Sequence, residues 1–127
     1  RHEAKWQEAL ARHYRRQEVA IVARVPKGRK VDIGGVWYDE ERWNAELAED
    51  LFRLNVLTAM AWAAYIAGQL GAEVSEDVML SYLQEHSRVQ AEYINRQTRD
   101  ELEAALREPE PLDAVKKLFV AAVTVWR

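Results

Sequence analysis

Three histidines and two clusters of carboxylates are the residues whose types could do chemistry in this chain. Histidine can act as a base or a metal ligand near neutral pH, and paired carboxylates can share a proton or hold a hard cation. The spacing supports neither role. Leu83 stands three residues before His86 and Leu10 three before His13, so the Glu-x-x-His pair of di-iron bundles is missing. His-Glu-x-x-His is missing as well. His86 falls on or beside an apolar stripe and is expected as a hydrogen-bonded core histidine. The carboxylates at Glu46, Glu49 and Asp50, and at Asp100, Glu101 and Glu103, fall on polar helix faces beside Arg42 and Arg53 or Arg96 and Arg99. A solvated face is expected there. The absence of Cys excludes disulfides, thiolate metal sites and Cys nucleophiles. The expectation is a chain that is not an enzyme, with no catalytic residue, cofactor, metal or small-molecule substrate.

Charge offers a second candidate. Residues 1–30 carry nine Lys or Arg against three Glu, and residues 31–127 carry nine against eighteen Asp or Glu, within a net charge of −3. Lys27-Gly28-Arg29-Lys30 lacks the glycine spacing and the following Lys-Ser/Thr of a phosphate-cradling loop. Flexible cations still neutralise phosphates without a fold of their own. Arg15, Arg16, Lys27, Arg29 and Lys30 are therefore the candidate contacts for non-specific DNA or an acidic partner. No helix-turn-helix, zinc-finger or aromatic RNA-binding pattern accompanies them.

The elements that position these groups read as helices. Length fits one domain of 127 residues, and 49 % apolar with 31 % charged residues suits a folded chain. Trp6, Leu10, Tyr14, Ile21 and Val25 recur at helical intervals, predicting a helix over about 3–25 that Pro26 and Gly28 stop. Residues 26–38 are open between a small hairpin at Gly34-Gly35 and a loop that pins Trp37 on the core. Asp39, Glu40 and Glu41 open a second helix over 40–70 with the stripe Trp43, Leu47, Leu51, Leu54, Thr58, Ala61 and Tyr65. Ser75 caps a third over 76–107, ended by Pro109. Its spacings predict the surface ion pairs Glu85–Arg88, Glu92–Arg96 and Arg99–Glu103. Pro111 opens a fourth over 111–126. The fold class is thus all-α, an elongated bundle of two long central helices and two flanking ones. Its start at Arg1 without Met, and an apolar pattern still running at Trp126, lead to the expectation of a fragment of a larger chain.

The second helix changes character halfway, with no charged residue from Leu54 to Ala72. Asn55, Thr58, Gln69 and many small residues weaken its hydropathy, so neighbours wrapped around it are expected in place of a membrane. Five Trp are present. All fall on or beside apolar stripes, where core packing is the default and interface anchoring the alternative. Trp62 reads as opposite Tyr65. Because a helix that is apolar all round needs cover on every side, Trp62, Tyr65 and Trp126 are the candidate protein interface. Trp62→Glu is expected to disrupt folding or assembly.

Longer runs carry a resemblance. Leu10-Ala-Arg-His-Tyr-Arg-Arg-Gln17-Glu-Val-Ala-Ile-Val22 resembles a basic, aromatic-containing helix near the C-terminal end of tailed-phage portal and portal-linked head proteins. There a variable loop follows, then an acidic helix start like Trp37-Tyr-Asp39-Glu-Glu-Arg42-Trp43-Asn-Ala-Glu46-Leu47-Ala-Glu-Asp50-Leu51. Ala91-Glu-Tyr-Ile94-Asn95-Arg-Gln-Thr98-Arg99-Asp-Glu-Leu102 is similar to the helix leading into Mu F-like head-morphogenesis domains, whose next helix is like Leu112–Trp126. The resemblance implies a structural protein of the special capsid vertex, in the virion or in the host cytoplasm during assembly. Its implied work is head assembly and DNA packaging, with self-association or other head proteins as partners. No catalytic residue is carried over. Asn95, Thr98 and Arg99 match the pattern, with helix packing and partner contact both open for them. The alternative reading is a helical protein-binding module, regulatory or toxin-associated, also without catalysis.

Overall fold

The computed structural model describes residues 2–26, 30–70 and 75–125, and of residues 2, 3, 66, 67, 70, 124 and 125 only the backbone. Five helices follow in order: α1 (His2–Val22), α2 (Ile33–Val36), α3 (Glu40–Leu70), α4 (Glu76–Ala105) and α5 (Pro111–Val125). The all-helical class and the two long central helices are as expected, and no strand occurs among the described residues. The hairpin considered for 26–38 is instead the single turn α2, closed by Gly35 N–H to the Asp32 carbonyl at 2.9 Å and Trp37 N–H to the Ile33 carbonyl at 2.8 Å. A Cβ at Gly35 would stand 3.0 Å from Val31 Cγ2, so a larger residue there requires that methyl to give way by a few tenths of an ångström.

Helix ends follow local chemistry. After Val22 the chain tightens, with Arg24 N–H reaching the Ile21 carbonyl and Val25 N–H the Val22 carbonyl, so α1 stops three residues before the expected end. The last turn of α4 tightens in the same way, through Arg107 N–H to Ala104 and Glu108 N–H to Ala105. Lys30 Nζ donates to the Arg107 and Glu108 carbonyls at 3.4 and 3.3 Å, placing a cation at a helix C-terminus. Ser75 Oγ accepts from Val78 N–H at the start of α4. On its surface Arg88 pairs with both Glu85 and Glu92, and Glu103 with Arg107, in place of the expected partners Arg96 and Arg99.

α1 packs on α3 and α5, and α4 on α3 and α5, so four helices close a base. Leu10, Ile21, Trp43, Leu47, Leu51, Leu102, Val115 and Phe119 are its core, each 0–1 % exposed. Val36 and Trp37 seal the end of this core, and Trp37 Nε1 donates to Glu40 Oε1 at 2.8 Å. α3 and α4 pair with each other most extensively and run on beyond the base as a two-helix arm. Asn55 Nδ2 clasps the two where the buried stretch of α3 ends, donating to Ser87 Oγ at 2.8 Å and Gln90 Oε1 at 3.0 Å.

Candidate functional site

Two features stand out once the fold is in place: a polar cluster inside the base and a bare aromatic groove on the arm. The cluster is built by the seven-residue gap in the α1 stripe between Tyr14 and Ile21. Helical spacing puts position 17 on that stripe, so Gln17 is carried into the core with His13, and both are 0 % exposed. Asn95 on α4, 1 % exposed, receives them. Its Oδ1 accepts from Gln17 Nε2 at 3.0 Å and lies 2.8 Å from His13 Nε2, while its Nδ2 donates to Asn44 Oδ1 at 2.8 Å. With Oδ1 as acceptor, His13 carries its proton on Nε2. Its Nδ1 has no hydrogen-bond partner among the described residues, nor do Gln17 Oε1 and Trp43 Nε1. Burial pushes the His13 imidazole below its ordinary value, against the bond to Asn95 that favours the proton.

The cluster thereby joins three helices, α1 through His13 and Gln17, α4 through Asn95 and α3 through Asn44. His86, expected in the core, is instead exposed and stacks on Tyr82, with ring centroids 5.7 Å apart and planes 8° from parallel. On the arm His86 lines an open groove against α3 and stays exposed. No group of three or more acidic or histidine side chains able to hold a metal occurs among the described residues.

Of the basic candidates, Arg15, Arg16 and Lys30 are among the described residues. Arg16 Nη2 lies 3.4 Å from Asp50 and its Nε 3.5 Å from Glu46, so its charge is already answered by carboxylates of α3. The same contacts draw Asp50 inward, to 15 % side-chain exposure, where a solvated face was expected. Lys30 serves the end of α4. Arg15 is exposed and makes no ion pair among the described residues. Lys27 and Arg29 lie outside the described residues.

The aromatic candidates fare differently. Trp62 and Tyr65 are 60 % and 59 % exposed and stand edge to face, with centroids 5.9 Å apart. They share a side of α3, where opposite sides were expected, because three residues span nearly one turn. Trp126 lies outside the described residues. Thr58, Ala59, Trp62 and Ala63 of α3 face Met79, Tyr82, Leu83 and His86 of α4 across a groove about 390 Å³ in volume. Within the groove Tyr82 is 65 % exposed, and elsewhere on the same stretches of α3 and α4 Leu57, Met60 and Val78 are 47–69 % exposed. Among the described residues, the Trp62 and Tyr65 side of the distal half of α3 is therefore not covered. A charge at Trp62 would enter solvent, which removes folding from the two effects expected of Trp62→Glu and leaves assembly. No described helix is long and apolar enough to cross a membrane.

Comparison with family models, with curated proteins and with solved structures returns no match for this chain.

Proposed function

We propose that this chain is a non-catalytic helical segment of a tailed-phage portal or minor head protein, acting in capsid-vertex assembly and DNA packaging. The base holds the α3–α4 arm rigid, and the arm presents its groove to a protein partner. The observation that supports this reading is the bare aromatic surface of Trp62, Tyr65 and Tyr82 on a stretch of α3 without charge. Contiguous exposed apolar surface of this kind marks interaction sites, and aromatic rings dominate interface energetics. The phage assignment rests on the Asn95-x-x-Thr98-Arg99 helix and the two runs that accompany it. Asn95 and Thr98 are buried in the base, which favours helix packing as the role of those two matched positions.

Complementation tests the reading. In a phage that encodes this chain, Trp62→Glu combined with Tyr82→Glu should lower the yield of DNA-filled heads at least tenfold while the purified variant keeps its helical content. Unchanged yield and head morphology would overturn the head-assembly role and leave the regulatory binding module as the better reading.

A further inference from the structure

A second cleft, about 550 Å³ in volume, lies between the start of α3 and the second half of α4. Glu40 and Asn44 line one side, and Glu92, Arg96, Arg99 and Asp100 the other. It shares no residue with the aromatic groove. Its charged groups do not neutralise one another. Glu92 is held by Arg88, and Glu40 Oε1 accepts from Trp37 Nε1 at 2.8 Å. The side chains of Arg96, Arg99 and Asp100 make no ion pair or hydrogen bond among the described residues, although Glu92 and Asp100 each stand four residues from Arg96 on the same helix. Such pairs on an exposed helix face are weak and yield readily to a better acceptor.

Asn44 adds a donor whose role is fixed from within the base. His13 and Gln17 both donate to Asn95 Oδ1, so Asn95 turns its Nδ2 toward Asn44, and Asn44 answers with Oδ1. The hydrogens that Asn44 still has to give are those on Nδ2. Asn44 and Arg99 are both half-buried, which restricts where their donors can go. The uncommitted groups of the cleft are therefore three donors, Asn44 Nδ2 and the two guanidiniums, against one acceptor, Asp100. A planar oxyanion that accepts several hydrogen bonds is the complement of such a set. Charge selects among oxyanions. Three carboxylates in the same cleft repel a phosphate dianion or a run of nucleic-acid phosphates, whereas a single negative charge is outweighed by two guanidiniums.

We infer that this cleft binds a carboxylate, gripped by Arg96 and Arg99 and oriented by Asn44 Nδ2. The buried cluster and the cleft then form one line of amides: His13 and Gln17 set Asn95, Asn95 sets Asn44, and Asn44 meets the ligand. The inference is independent of the phage reading and of the groove.

The experiment is an NMR titration of the nitrogen-labelled full chain at neutral pH and fixed ionic strength, following the Asn44 side-chain amide and the arginine Nε–H signals. Sodium acetate is the free carboxylate, a capped Ala-Glu-Ala peptide carries the same group as a side chain, and sodium phosphate is the comparison. Acetate or the peptide should shift the Asn44 and Arg99 signals saturably, with a Kd of about 1–30 mM, and phosphate should bind at least about threefold more weakly. Arg96→Gln and Arg99→Gln should each weaken carboxylate binding at least about fivefold and Asn44→Ala at least about threefold. Arg53→Gln, exposed on α3 and outside the cleft, should change nothing, with circular dichroism the same in all four variants. Tighter binding of the peptide assigns the cleft to an acidic side chain of a partner protein, and tighter binding of acetate assigns it to a free small carboxylate. No saturable shift up to about 100 mM of either carboxylate, native affinity in any of the three cleft variants, or phosphate bound more tightly than acetate would overturn the assignment.

Discussion

Replacing Asn95 by Ala should be among the most destabilising single changes that leave the apolar core intact. The substitution removes the acceptor shared by His13 and Gln17 and the donor to Asn44. Asn44 is half-buried and can turn to water, but the His13 and Gln17 groups are sealed. Each buried donor left without a partner costs about 1–3 kcal/mol, so the variant should lose about 3–5 kcal/mol. At about 2.1 cal/mol/K of unfolding entropy per residue, a chain of this size loses its melting temperature at about 4 °C per kcal/mol, a drop of about 10–20 °C. Urea unfolding followed by circular dichroism, with a thermal melt alongside, reads both quantities. The mechanism makes a second demand. In a His13→Phe background one orphaned donor is already gone, so Asn95→Ala should cost less there by at least about 0.5 kcal/mol. A loss below about 1 kcal/mol, or strict additivity of the pair, would refute the cluster as the joint between α1 and α4.

The remaining predictions concern the same two regions. Burial lowers the His13 pKa in the folded state, so the folded chain binds fewer protons than the unfolded one; stability should be complete above about pH 6.5 and decline as pH falls from there through the folded-state value. His13→Phe should abolish that slope in urea titrations run between pH 7 and pH 5, whereas a slope that persists would place its origin in another group. Trp43→Ala should cost about 3–5 kcal/mol and Trp62→Ala less than about 0.5 kcal/mol, since one ring is 0 % and the other 60 % exposed; equal melting temperatures would refute that division. Lys30→Ala should lower stability by about 0.3–1 kcal/mol through loss of a cation at the end of α4, and the loss should shrink in high salt. A loss that is the same in high salt would mean that Lys30 acts by packing.

The helices were legible because their punctuation is strong. Pro26, Pro109 and Pro111, the acidic turn after Asp39 and the cap at Ser75 set boundaries within a few residues, and the one-turn helix α2 escaped because four residues carry no period. The stripes identified much of the base core, Leu10, Tyr14, Ile21, Trp43, Leu47 and Leu51 included. They did not say where cover ends: a period shows which side of a helix is apolar, not whether anything packs on it, so Trp62 and Tyr65 read like the buried residues two turns before them. His86 was placed in the core and His13 was passed over for one reason, that a polar residue near an apolar stripe carries no mark of its partner. The one signal was the interval between Tyr14 and Ile21, which obliges Gln17 to face inward. Arg16 was legible as a cation but not as one paired across helices, since Glu46 and Asp50 lie thirty or more residues away in sequence.

The way the base is closed also dictates an order of events during synthesis. α3 and α4 are neighbours in sequence and can zip together as soon as both have emerged, whereas α1 packs on α5 across most of the length of the chain. Until α5 leaves the ribosome, Leu10, Ile21 and the sealed amide of Gln17 have only part of their cover, while the arm is already formed with its aromatic rings outward.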